Sequence, residues 1–290
     1  MSAHLILIDA LNLIRRIYAV QERPFMLTKN SANDELSNNT QQQVLFNTQN
    51  ACVVALNKII NEHNPTHGLA VFDSQKPCWR YKLYADYKKG RKKMPESLAN
   101  QLSHIQDAFM AEGIDSLTSD EDEADDLIAT LATKMALHGQ RVTIISTDKG
   151  FLSLLSPNIH VYDYFNRRYL DETHVKSKFN VKSSQLMDLW TLTGDNTNKI
   201  PGVAGIGQVT AANLINEYGS LKNILMSDDL KSTIKKKLEE SSEQITLTRQ
   251  LLTLQQDIPL GFNLKDIRIT SPSTSAQNNA NIIPLIAPTA

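Results

Sequence analysis

Cysteine is scarce. Cys52 and Cys78 are the only two in 290 residues, which leaves no disulfide framework and no paired spacing for zinc. Charge bias is missing too: the formal net charge is −1, so no global attraction to nucleic acid exists and any such attraction must be local. No apolar run reaches the ~18 residues of a membrane span. The opening MSAHLILIDALNLIRR lacks a signal peptide's order of basic, apolar and small-residue regions. No serine, cysteine or histidine nucleophile motif stands out. His4, His104 and His174 read as surface or packing residues rather than ligands. These absences imply a cytoplasmic globular protein without membrane attachment, and no internal repeat is visible.

What is abundant is carboxylate in one place. Six of the seven residues from Asp120 to Asp126 are acidic, and an apolar helix pattern follows at once. A solvated helix N-terminus would explain this, since carboxylates there gain roughly 0.3–1 kcal/mol each from the helix dipole. A divalent cation cancelling the repulsion would explain it as well.

The rest of the chain separates these readings. HLILIDA (4–10), HGLAVFD (67–73) and RVTIISTD (141–148) are short buried strands ending in Asp9, Asp73 and Asp148, and NIHVYDY is a plausible fourth. Helical patterns lie between them, including 44–63 and a helix from Pro95 to Gly113. This alternation predicts an α/β core, a mostly parallel sheet flanked by helices over residues 1–170, with ligands beyond the carboxyl ends of the strands. One strand-end aspartate is a cap or turn residue. Three of them, converging with the acidic helix start at Glu123, Asp125 and Asp126, favour a metal site. Hard oxygen donors select magnesium or manganese. Residues 21–43 are polar and aperiodic and are expected to be a flexible insertion. The second half, 171–260, reads as all helical, and 261–290 as a disordered tail.

Two further segments carry chemistry. Residues 76–94, KPCWRYKLYADYKKGRKKM, hold eight Lys or Arg against one Asp, interleaved with Trp79, Tyr81, Tyr84 and Tyr87. Basic charge with aromatic faces suits single-stranded nucleic acid, and Lys88 and Arg91 are placed to pair with phosphates. Residues 189–219 contain PGVAGIG between two helices. The backbone N–H groups of Gly205, Ile206, Gly207, Gln208, Val209 and Thr210 would form an anion clamp.

Taken together, LILIDALN, AVFD, YKKGR, EADDLIATLA, ISTDKG and TGDNTNKIPGVAGIGQVTA resemble the 5′-3′ exonuclease/flap endonuclease family over about residues 4–260, most of all its short stand-alone bacterial members. The resemblance implies a PIN-like nuclease core, with 76–94 as an arch-like basic segment. It also implies a C-terminal helical part whose helix–three-turn–helix element binds duplex DNA. The implied activity is metal-dependent cleavage of 5′ flaps at single-strand/double-strand junctions, in replication or repair. Asp9, Asp73, Glu123, Asp125 and Asp126 match the family's first metal cluster, Asp148 and Asp195 its second, and Lys88 and Arg91 its arch base. Potassium is implied at the hairpin through the carbonyls of Leu192, Thr193, Pro201, Val203 and Ile206. The chain departs from the pattern at Gly150 and Asn198, where relatives with two full clusters carry aspartates. One tight magnesium or manganese site, held chiefly through Asp125, is therefore expected. DNA is the implied partner of a monomer with no obligatory protein partner, associated with the nucleoid when bound. A branched-DNA-binding protein with a degenerate metal site is the alternative. A phosphatase acting on small phosphate esters would explain the carboxylates but not the hairpin.

Overall fold

The computed structural model describes residues 3–27, 37–74 and 76–269. β1 (His4–Asp9) leads into α1 (Ala10–Leu27), α2 (Asn38–His63), β2 (His67–Phe72), α3 (Trp79–Leu83), α4 (Glu96–Ala111) and β3 (Asp115–Thr118). Then come α5 (Ala124–Leu137), β4 (Arg141–Ile145), β5 (Ile159–Asp163) and β6 (Arg168–Tyr169). The remainder is helical apart from one short strand pair: α6 (Glu172–Phe179), α7 (Leu186–Thr193), β7 (Gly194–Asp195), β8 (Ile200–Pro201), α8 (Gln208–Tyr218), α9 (Leu221–Met226), α10 (Ser232–Glu240) and α11 (Ser242–Leu252).

Six strands form one sheet in the order β3-β2-β1-β4-β5-β6. Every neighbouring pair is parallel except β5 and β6. Both faces are covered, which is why the central strands are continuously apolar rather than alternating. Ile6, Ile8, Ala70, Phe72 and Ile145 pack with α1, α2 and α4. Leu5, Leu7, Leu69, Val71, Val142 and Ile144 pack with α5, α7 and α8. Each such Val, Leu, Ile or Phe side chain taken from water stabilises the fold by roughly 1.5–3 kcal/mol. The chain runs outward from β1 to β3 on one side and from β4 on the other. The switch point therefore lies between β1 and β4, and it opens a crevice at their carboxyl ends.

The structure corrects two expectations. Residues 21–27 and 38–43, expected within a flexible insertion, are helical, extending α1 and opening α2; residues 28–36 lie outside the described residues. Only a narrow stripe of α2 is buried (Val44, Thr48, Cys52, Ala55, Leu56 and Ile59), so a largely polar composition is compatible with a helix. Residues 261–269, expected in the tail, are ordered. Ile267 is buried, Arg268 bridges to His67, and Ile269 N–H donates to Thr66 O at 3.1 Å. Residues 270–290 lie outside the described residues. No helix among the described residues is long and apolar enough to cross a membrane.

At the opposite end of the sheet from the crevice, His4 Nε2 meets Thr143 Oγ1 at 3.0 Å. Burial, with help from Arg141 and His63, pushes His4 down to about 4. Unfolded His4 gains its proton near pH 6.5. Its contribution to stability is thus complete above pH 6.5 and is lost as pH falls towards 4. Melting temperatures between pH 4 and 7 should fall with acid, and His4→Gln should remove about 2–4 °C of that fall. Identical slopes would refute this role.

Candidate metal centre and nucleic-acid interface

β2, β1 and β4 are consecutive neighbours in register, with Asp9 opposite Val71 and Ile8 opposite Ile145. Their carboxyl ends bring Asp9, Asp73 and Asp148 to one crevice, and the first turn of α5 adds Asp125. Asp9 Oδ2 accepts from Ser146 Oγ at 2.7 Å and Oδ1 from Asn12 N at 3.3 Å. Asp73 Oδ1 accepts from Ala124 N at 2.9 Å, capping α5 from a neighbouring strand; Glu123, at the cap position itself, makes no side-chain capping bond. Asp148 Oδ1 accepts from Gly150 N at 2.7 Å. The capping explanation therefore holds for Asp73 and Asp148, but each carboxylate keeps further acceptor capacity.

Asp125 is different. It is half-buried and has neither a hydrogen-bond nor an ion-pair partner among the described residues. Burial, then Asp148, Asp9 and Asp73, push its carboxyl well above the usual range, and Lys88 opposes them only in part. Asp9, 7 % exposed, is pushed up to about 7 by burial and by the charges of Asp148 and Asp73. Among the described residues no three His, Cys, Asp or Glu side chains stand close enough together to hold a metal ion as they are placed. The assignment rests on electrostatics instead: four oxygen-donor groups repel one another around a crevice where Lys88 offsets them only in part, which fits a hard divalent ion.

The other acidic candidates are placed elsewhere. Asp126 is fully buried. It accepts from Arg80 Nη1 and Nη2 (2.6 and 2.8 Å), Trp79 Nε1 (3.1 Å) and Gln255 N (2.9 Å), which saturates both oxygens. Glu123 is bound by Arg80 Nη1 at 2.5 Å, by Lys88 Nζ and by Tyr87 Oη. Burial works against its ionisation, but Lys88 and Arg80 outweigh burial and hold its carboxyl low. Both oxygens of Asp126 are thus occupied by protein donors, and Glu123 is already neutralised. Asp195 is held by Lys149, the residue next to Asp148. It is 3 % exposed, paired to Lys149 Nζ at 2.9 Å, and it accepts from Asn198 Nδ2 at 2.8 Å and Thr197 N at 3.1 Å. An ammonium therefore already balances its charge.

The basic segment divides into two parts. Arg80 and Tyr87 point inward and are buried, because the Glu123–Asp126 pair requires compensation there; this corrects a purely nucleic-acid-facing reading. Lys88 sits at the rim of the crevice in the left-handed backbone region (φ 53°), which costs roughly 1–2 kcal/mol. Its N–H donates to Asn198 O at 2.8 Å. Arg91 is exposed. Arg15 of α1 joins this rim, donating from Nη2 to Lys92 O at 2.9 Å. Arg15, Arg80 and Ser146 escape sequence reasoning, since nothing in their local pattern marks them.

In the hairpin, the 193–194 and 200–202 segments approach so closely that side chains are excluded. A Cβ on Gly194 would lie 2.4 Å from Gly202 N, and one on Gly202 would lie 2.2 Å from the Thr193 carbonyl carbon. Val203 N–H donates to Leu192 O at 2.8 Å and Ile206 N–H to Val203 O at 3.0 Å. Ile206 is therefore a buried anchor whose N–H is already used, which removes it from the anion clamp. α8 starts at Gly207 with no side-chain cap, so the N–H groups of Gln208, Val209 and Thr210 face outward from an exposed helix end. Pro201 O accepts from Thr248 Oγ1 at 2.6 Å, tying the hairpin to α11.

Residues 4–180 match the 5′-3′ exonuclease N-terminal resolvase-like domain, and 181–275 the 5′-3′ exonuclease C-terminal SAM fold. The chain is 74 % identical to flap endonuclease Xni of Colwellia psychrerythraea, covering 97 % of each chain. It is 45 % identical to flap endonuclease Xni of Vibrio parahaemolyticus, over 94 % of this chain and 99 % of that one. Its fold is similar to that of the zinc-bound T5 5′-exonuclease (TM-score 0.66, 23 % identity, 87 % and 89 % covered). It is also similar to the catalytic core of Rad2 in complex with DNA (TM-score 0.52, 15 % identity, 93 % and 84 % covered).

Proposed function

The chain belongs to the 5′-3′ exonuclease family, and from that premise we propose how this molecule cuts DNA and with which residues. It is a structure-specific nuclease acting on 5′ flaps. One observation carries the site assignment: Asp125 faces Asp9, Asp73 and Asp148, has no hydrogen-bond or ion-pair partner among the described residues, and is offset only in part by Lys88. These four aspartates would hold one divalent ion, magnesium or manganese. Such an ion lowers the pKa of a bound water and stabilises the leaving oxygen of a phosphodiester. Lys88, Arg91 and Arg15 supply positive charge for phosphates entering the crevice. The hairpin holds the duplex through Gln208, Val209 and Thr210, without reading bases. Potassium would add charge there through the carbonyls of Leu192, Thr193, Val203 and Ile206, whereas Pro201 O already accepts from Thr248 Oγ1 and Gln244 Nε2. A monomer needing no obligatory protein partner is part of the same reading. Action in the cytoplasm, in replication or repair, completes the proposal. The test is a 5′-flap, a blunt duplex and a single strand, each incubated with magnesium and separately with manganese. The flap should be cut at least 10-fold faster, and equal rates on all three would overturn the reading.

A second reading, a branched-DNA-binding protein with little turnover, draws support from the Lys149–Asp195 pair and from Gly150. The double variant Gly150→Asp, Asn198→Asp separates the two. A Cβ at Gly150 would lie 3.2 Å from Asp148 Oδ1, close enough to need a small shift. Asn198→Asp replaces a donor to buried Asp195 with a like charge. Without metal the variant should lose about 1–3 kcal/mol of stability, and divalent metal should restore it and raise cleavage. A destabilised variant that metal does not rescue would argue against a latent second site.

A further inference from the structure

Arg80 is the largest fully buried side chain, 2 % exposed, and no step assigned so far uses it. A buried guanidinium carries five N–H donors and tolerates no unmatched one without cost. Here all five are matched. Nη1 donates to Glu123 Oε2 (2.5 Å) and Asp126 Oδ2 (2.6 Å), Nη2 to Asp126 Oδ1 (2.8 Å) and Thr253 O (3.0 Å), and Nε to Leu251 O (2.8 Å). The Trp79 ring covers the guanidinium at 4.3 Å.

These acceptors belong to two different bodies. Glu123 and Asp126 bracket Asp125 at the start of α5. The carbonyls of Leu251 and Thr253 lie at the end of α11, where a helix leaves acceptors unpaired. α11 in turn holds the hairpin, through Thr248 Oγ1 and Gln244 Nε2 on Pro201 O. An unbroken run of hydrogen bonds therefore leads from the hairpin, through α11 and Arg80, to Glu123 and Asp126 on either side of Asp125.

We infer that Arg80 is a positioning residue that fixes Asp125 against the hairpin-bearing helix, so that the site holding the duplex and the site holding the metal form one rigid unit. This inference rests on the nuclease reading of the four aspartates. A plain stabilising role would also explain burial, but it would not require that both ends of the linkage be the functional ones. Lysine cannot replace arginine here, because three donors on a point charge cannot serve two carboxylates and two carbonyls in a fixed plane.

The test uses the full chain and Arg80→Lys, below the melting temperature of both, with three readouts: calorimetric manganese affinity, flap-duplex affinity by anisotropy in EDTA, and single-turnover cleavage. The expected result is about 10-fold weaker manganese binding and cleavage slower by on the order of 100-fold, as misplacement of about 1 Å produces, with duplex affinity within about 3-fold of wild type. If Arg80→Lys does not fold, Trp79→Phe serves instead: it deletes one Asp126 hydrogen bond and keeps the ring over Arg80, and about a 5-fold loss of cleavage at unchanged duplex affinity is expected. A folded variant with wild-type manganese affinity and rate overturns the inference, as does an equal loss in all three readouts. If wild type does not cut flaps but Arg80→Lys still weakens manganese binding, the nuclease reading fails and the positioning role stands.

Discussion

Asp125→Asn is expected to lower flap cleavage on the order of 1,000-fold while making the metal-free protein harder to melt. The two effects share a cause. Asp125 is half-buried, pushed towards its protonated form by burial and by Asp148, Asp9 and Asp73, and unpaired. An amide of the same shape removes that repulsion. In EDTA at pH 8 the melting temperature should rise by about 2–4 °C for each kcal/mol relieved. The same substitution removes a full charge from the metal's donors, and a 1,000-fold loss corresponds to about 4 kcal/mol at tenfold per 1.36 kcal/mol. Manganese affinity by calorimetry should fall, and flap-duplex affinity should not. A destabilised Asp125→Asn protein, or one with unchanged manganese affinity, would show that the carboxylate is structural.

Gly207→Asp is expected to stabilise the fold and weaken DNA binding together. Gly207 precedes α8 with φ −86° and ψ 178°, a backbone that any residue adopts. A Cβ there would meet nothing within 4 Å. Aspartate is a favoured helix cap and should gain a few tenths of a kcal/mol over glycine. Its carboxylate would occupy the same N–H groups that the proposed interface offers to phosphate, and it would repel the next one. Flap-duplex affinity at physiological salt should fall about 10-fold, and the salt slope should lose about one phosphate contact. Manganese affinity should not change, since the aspartates lie on other elements. Wild-type duplex affinity in a stable Gly207→Asp protein would remove the helix end from the interface.

The sheet and the crevice are legible in the chain because their signals are local. Apolar runs of six residues that end in aspartate mark β1 and β2, and adjacency of these parallel strands follows from the alternation with helices. β3 escapes because it is a four-residue edge strand with exposed side chains. β6, β7 and β8 escape because two residues carry no periodicity. Within the EADD run, residue type and spacing do not separate Asp125 from Asp126, one residue apart, although the family resemblance places the metal chiefly on Asp125. What divides them is Arg80, 46 residues away, which takes one carboxylate and leaves the other. The same logic hides the pairing of Asp195 with Lys149, which comes from a different segment.

The most direct test of the proposed chemistry is the position of the cut. A 5′-flap duplex carrying its label on the recessed part of the flap strand is incubated with wild-type protein and magnesium under single-turnover conditions, and the product is sized to one nucleotide. Cutting within a nucleotide or two of the single-strand/double-strand junction, abolished by EDTA and by Asp125→Asn, is the predicted result. Cuts scattered along the strand, or cutting that survives in Asp125→Asn, would contradict it.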